Sequence, residues 1–104
     1  MSSATWTFLS NHAHVLLAVS REPEIRVRDL AAQVGVTERR VQTIVAELED
    51  EGYLARHRIG RRTHYQLLSG RPFRHQLEAG RSVDDLLALF SASRSRARHA
   101  LADS

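Results

Sequence analysis

The sequence predicts an α+β fold, mostly helical: three N-terminal helices, a two-stranded β-hairpin and a C-terminal helix. Three observations carry that expectation. Two helical segments meet at Gly35, where the apolar periodicity breaks and restarts. The second ends at Gly52 and is followed at once by two short alternating segments around Gly60. A last segment, from Ser82, returns to helical spacing.

The first helix is expected over Ser10 to Ser20. Leu9, Ala13, Leu16, Leu17 and Ser20 form one apolar stripe, and Phe8, His12, Val15 and Val19 form a second beside it. Two stripes are more than a surface helix needs against one core. The second is therefore read as facing either a central core or a partner subunit. Arg21-Glu22-Pro23-Glu24 ends the helix, because proline disfavours helical backbone in the residue before it. Ile25-Arg26-Val27 reads as a short extended piece. Arg28 to Val34 is a short helix with Leu30, Ala31 and Val34 inward, closed by Gly35 in the left-handed region. Thr37 caps the next helix and Glu38 puts a negative charge in its first turn. That helix runs to Glu51, with Val41, Val45 and Leu48 buried and Ile44 at the margin; Gly52 ends it.

Tyr53 to Ile59 and Thr63 to Leu68 are the hairpin strands, with Gly60-Arg61-Arg62 as the turn. Leu54 and Ile59 bracket polar positions on one arm, and Tyr65 and Leu67 supply apolar positions on the other. Ser69 to Arg81 holds Gly70, Pro72 and Gly80 and reads as mostly irregular. Ser82 with Asp85 is a weak capping box for the last helix, whose apolar face is Val83, Leu86, Leu87 and Phe90. The tail from Ser91, rich in alanine and arginine, either extends this helix or frays. The expected organisation is a first domain over 1–68, a connector over 69–81, and a dimerisation helix with its tail over 82–104.

Composition narrows the function classes. The chain has 104 residues, 42% of them hydrophobic, which suffices for one modest core. It has no cysteine, which removes disulfides, thiolate zinc sites and cysteine nucleophiles and fits a reducing cytoplasm. No apolar run approaches the roughly 20 residues that span a bilayer. The N-terminus lacks a signal-peptide pattern. A soluble, cytoplasmic protein without membrane contact is expected. All 15 basic residues are arginine; codon bias in a GC-rich genome accounts for most of that. Their distribution says more. Residues 1–53 carry net charge −3, residues 54–81 carry +6, and residues 82–104 carry 0. A concentrated basic segment beside an acidic one points to a polyanionic partner at one place.

The helices around Gly35 fit a helix-turn-helix. A glycine-ended second helix followed by a basic hairpin is the order of a winged helix. Residues 6–68 resemble the winged-helix regulators of the MarR and ArsR type. Leu30-Ala31, Val34-Gly35-Val36-Thr37, the segment Glu38 to Val45, and Leu48-Glu49-Asp50-Glu51-Gly52-Tyr53-Leu54 carry the likeness; Gly60-Arg61-Arg62 with Tyr65 is similar to the wing. Phe73-Arg74-His75 through Leu87 resembles the C-terminal part of an actinobacterial-like subgroup. The resemblance implies a DNA-binding transcriptional regulator, with repression by promoter occlusion.

In such a fold the second helix enters the major groove by its N-terminus. Glu38, Arg39, Gln42 and Thr43 are then the candidates for base contacts. Arg39 matches guanine O6 and N7, and Gln42 matches adenine N6 and N7. Arg28, Arg40, Arg58, Arg61, Arg62 and His64 are the candidates for the DNA backbone. Glu47, Glu49, Asp50 and Glu51 at the far end would repel phosphate, so that end should point away. Phe8, His12, Val15 and Val19, with Val83, Leu86, Leu87 and Phe90, are the expected homodimer surface. A small-molecule effector enters only as a partner that no residue identifies.

An enzyme is not expected: there is no phosphate loop, nucleophile elbow or dinucleotide fingerprint, and the paired acids read as solvated faces. No cofactor is expected. His12, His14, His57 and His64 raise metal sensing, but no ligand set has suitable spacing, and no metal site is assigned. The rival reading is a winged helix that binds protein or RNA; an RNA reader would need exposed stacking aromatics, and Tyr53, Tyr65 and Phe73 look structural.

Overall fold

The computed structural model describes residues 6–91; the tail from residue 92 on, with its expected extension or fraying, lies outside the described residues. Two compact units divide after Leu67.

In the first unit, α1 spans Asn11–Arg21, and Ser10 caps it by accepting from the Ala13 amide at 3.3 Å. Its buried run is unbroken from Val15 to Val19. Val15 is 0% exposed and Val19 1% exposed, which corrects their assignment to a partner-facing stripe. The reason is packing on three sides: α1 meets α2, α3 and β2, so a wide apolar arc is consumed within one chain. Of that stripe, Phe8, just ahead of the helix, is left at the surface, 92% exposed, and His12 is partly exposed.

α2 spans Val27–Val34, and its C-cap Gly35 has φ 86 and ψ 33. The Gly35 and Val36 amides both return to the Ala31 carbonyl, at 2.8 and 3.1 Å. Val27, expected in an extended piece, is the first residue of this helix; Ile25 before it is buried. α3 spans Glu38–Asp50, and the Thr37 hydroxyl accepts from the Arg40 amide at 3.0 Å. Val41, Ile44, Val45 and Leu48 are its buried residues. Ile44 is therefore core rather than margin, because positions 41, 44, 45 and 48 together make the full i, i+3, i+4, i+7 stripe. At its end Gly52 has φ 81 and the Tyr53 amide reaches back to the Leu48 carbonyl at 2.9 Å, a Schellman-type closure that turns the chain into the hairpin.

The hairpin strands are β1, Leu54–Ile59, and β2, Arg62–Leu67, antiparallel with Leu54 opposite Leu67, Arg56 opposite Tyr65 and Ile59 opposite Arg62. Arg62 thus belongs to the strand, and the turn is two residues, Gly60-Arg61, rather than three. Positive φ at Gly60 and not at Arg61 matches a type II′ hairpin turn. Leu54 and Tyr65 anchor the hairpin in the core. Ile59, on the same strand as Leu54, is 60% exposed. The two are an odd number of positions apart, so the pleat sends them to opposite faces. The other edge of β2 is tied down where the Tyr65 amide donates to the Pro23 carbonyl at 2.8 Å.

In the second unit, the stretch expected to be irregular folds into a closed loop. Pro72 and Ser82 form an antiparallel bridge, the Phe73 amide donates to Arg81 at 3.2 Å, and the Val83 amide donates to Arg71 at 2.9 Å. A 3-10 turn, Gln76–Glu78, sits inside it. A helix, α4, follows over 83–91. Asp85 accepts from the Ser82 amide at 3.3 Å, one half of the expected capping box, and Asp84 accepts from the Gly70 amide at 3.1 Å. These acids hold backbone and are not merely a solvated face. Val83 is buried and is removed from the expected partner surface. Leu86, Leu87 and Phe90 are half-buried, while Leu89, not anticipated, is 63% exposed. No described helix is long and apolar enough to cross a membrane.

Candidate nucleic-acid interface

The first turns of α3 separate apolar from polar side chains completely. Val41, Ile44, Val45 and Leu48 are buried, while Glu38, Arg39, Arg40, Gln42 and Thr43 are all exposed. Positions 39, 42 and 43 are three and four apart and share one face. Among the described residues the guanidinium groups of Arg39 and Arg40 make no ion pair. The Thr43 hydroxyl donates to the Arg39 carbonyl at 3.2 Å, which spends its proton on the helix and leaves the methyl and a lone pair outward. The helix presents two exposed cations, one amide and one methyl at its positive end, a set able to address base edges and phosphates.

The far end of α3 is chemically different. Glu47 lies 2.8 Å from His12 Nε2 on α1. Glu49 Oε1 accepts from Arg56 Nη2 at 2.6 Å and from its Nε at 3.1 Å, and Glu49 Oε2 accepts from the Arg56 amide at 3.4 Å. Hydrogen bonding from Arg56 outweighs partial burial and holds the Glu49 carboxyl below its ordinary pKa. These acids pin the helix to α1 and β1 rather than merely facing away from a polyanion. Sequence reasoning missed this clamp. Its signal was an acid in the last turn and an arginine two residues into the following strand, which a tight glycine turn brings face to face.

Along the wing, the arginines differ in availability. Arg61, at the turn, is exposed and makes no ion pair among the described residues. The Arg58 Nε leans toward its own turn, 3.4 Å from the Gly60 carbonyl. Arg62 Nη1 lies 3.9 Å from Glu24 Oε1, and His64 Nδ1 lies 3.4 Å from Glu24 Oε2. A cleft lined by Glu24, Arg26, Val27, Arg61, Arg62 and Tyr65 joins the wing to the start of α2. Burial pushes the Tyr65 phenol pKa up, against a smaller opposing pull from Arg56. The structure thus brings Arg26, Arg61 and Arg62 together, while Arg39, Arg40 and Gln42 form a separate group on α3. Arg28 is exposed on α2 outside the cleft lining.

The cross-strand pair His57 and His64 sits directly opposed. Each ring is nevertheless engaged elsewhere, His57 with Gln66 at 2.7 Å and His64 with Glu24. Among the described residues no three ligands converge for a metal.

A model of the MarR family matches residues 7–62, more than half of the chain. Among solved structures, FabT of Streptococcus pneumoniae in complex with DNA is similar at 17% identity, over 98% of this chain and 66% of that one, with TM-score 0.57. A single-site mutant of S. aureus MepR bound to an oligodeoxyribonucleotide is similar at 17% identity, over 91% and 64%, with TM-score 0.54. PcaV of Streptomyces coelicolor with its natural ligand is similar at 22% identity, over 88% and 76%, with TM-score 0.52. At these identities the likeness shows the winged-helix fold. The chain spans less than two thirds of the length of the FabT and MepR chains. No curated protein matches the sequence.

Proposed function

This chain belongs to the MarR family, and from that premise we propose that it is a cytoplasmic, sequence-specific regulator of transcription that binds double-stranded DNA. Arg39, Gln42, Thr43 and Glu38 address base edges in the major groove. Arg28, Arg40, Arg58 and Arg61 neutralise phosphates, with Arg62 and His64 joining once released from Glu24. The observation that supports this reading is the exposed pair Arg39 and Arg40, without an ion pair among the described residues, at the positive end of a helix whose opposite face is wholly buried. The rival reading as an RNA module finds no platform in the aromatics of the hairpin and the loop that follows it: Tyr65 is buried and Tyr53 and Phe73 are half-buried.

The regulator acts as a homodimer and a repressor in this reading. Phe8 and His12 in the first unit, and separately Leu86, Leu87 and Phe90 in the second, are the apolar and polar groups assigned to the partner copy. The edge-to-face pair Trp6 and Phe8, centroids 5.1 Å apart, adds aromatic area beside α1. Two recognition helices then meet half-sites about one helical turn apart. A small-molecule effector is part of the proposal without an assigned site. Selection of duplexes from a random library, followed by titration of the selected and a scrambled duplex, tests the function. Enrichment of a pseudo-palindrome bound at least roughly tenfold more tightly is expected, well inside the usual margin of specific over non-specific binding; no enrichment, with equal affinity for both duplexes, would end it.

A further inference from the structure

We propose that Glu24 is a built-in counter-anion of the wing, occupying the position that a DNA phosphate takes on binding and holding Arg62 and His64 in check until then. This rests on the DNA-binding reading above.

Glu24 is the carboxylate lining a cleft that also holds Arg26, Arg61 and Arg62. Its backbone is fixed there from both sides. The preceding Pro23 carbonyl accepts from the Tyr65 amide at 2.8 Å, and the following Ile25 is 2% exposed with its amide on the Glu22 carbonyl at 3.1 Å. The two carboxylate oxygens are divided between two wing residues, Oε1 toward Arg62 and Oε2 toward His64. Arg62 and His64 sit two apart on one strand and so share a face.

The lengths of these contacts decide what they do. Glu49 grips Arg56 at 2.6 Å with further bonds from Nε and the backbone amide, which makes a fixed structural clamp. Glu24 stands 3.9 Å from Arg62, with both side chains about half exposed. An exposed pair at that separation is weak. It is strong enough to bias where Arg62 rests and weak enough for a phosphate, whose neutralisation releases condensed counterions, to replace it.

Removing the charge while keeping the shape isolates this role. Glu24→Gln is compared with the wild-type chain on mixed-sequence duplex DNA from about 0.05 to about 0.5 M salt, alone and in an Arg62→Gln, His64→Gln background. An exposed pair of this kind is worth up to about fivefold in an equilibrium, so the gain is up to about fivefold at about 0.05 M and shrinks toward none at about 0.5 M as salt screens the pair. In the double-substituted background the gain should vanish. Weaker binding by Glu24→Gln, showing that the carboxylate positions Arg62 productively, would overturn the proposal. So would no change, or a gain that persists without Arg62 and His64. A wild-type chain that binds no duplex would remove the DNA reading and this inference together, whereas the preceding three outcomes remove the inference alone.

Discussion

Two arginines in the same hairpin should respond oppositely to the same substitution. Arg61→Ala and Arg56→Ala each remove one positive charge from the basic segment, so any effect of net charge is shared. Arg61 is exposed at the turn and makes no ion pair among the described residues; Arg56 is gripped by Glu49 at 2.6 Å. If the wing binds backbone phosphate, Arg61→Ala loses one neutralised phosphate, which lowers the salt slope by about 0.9 and costs about fifteenfold in affinity at about 0.05 M salt and about fourfold at about 0.2 M. Arg56→Ala should leave the slope unchanged, since its charge is already answered inside the protein. Its cost appears in stability, on the order of 0.2–1 kcal/mol for a partly exposed pair. Fluorescence anisotropy on a mixed-sequence duplex across that salt range gives the slopes, and urea unfolding gives the stabilities. Equal slope losses in both variants would refute the division between free and committed arginines.

Ile44, fully buried on α3, should cost about 2–5 kcal/mol when cut to alanine; thermal unfolding followed by circular dichroism checks it, and a loss below about 1 kcal/mol, too small for a core deletion, would return Ile44 to the helix margin. The Glu49 carboxyl titrates below its ordinary value of 4.5, so the Glu49–Arg56 pair contributes stability above that pH and loses it as pH falls through the depressed folded value. Glu49→Gln should therefore be less stable than wild type at neutral pH, by up to about 1 kcal/mol, and indistinguishable from it in strong acid. Phe8→Ser should weaken self-association in sedimentation velocity without lowering thermal stability, whereas Val15→Ala should lower stability.

The fold was legible because its punctuation is local. Gly35, Thr37, Gly52 and Gly60 each act on their own few residues, and each marks an element boundary that the structure reproduces within a residue or two. What sequence reading missed depends on which elements meet. Nothing near Val15 or Val19 says that three elements surround α1, so a doubly apolar helix looked like half an interface. The candidate site shows the same limit. Exposure of Arg39 and Gln42 followed from the buried stripe of their own helix. The commitment of Arg56 to Glu49, and the leaning of Arg62 and His64 on Glu24, depend on contacts between different elements, the latter about 40 positions apart in sequence.

The most direct test of the central claim is base discrimination by the tip of α3. Wild type and Arg39→Ala are titrated against a library-selected duplex and its scrambled counterpart at one salt concentration. Arg39→Ala is predicted to lose about 1–3 kcal/mol on the selected duplex and much less on the scrambled one. Equal losses on both duplexes would reduce Arg39 to a phosphate contact and contradict the assignment of sequence reading to this helix.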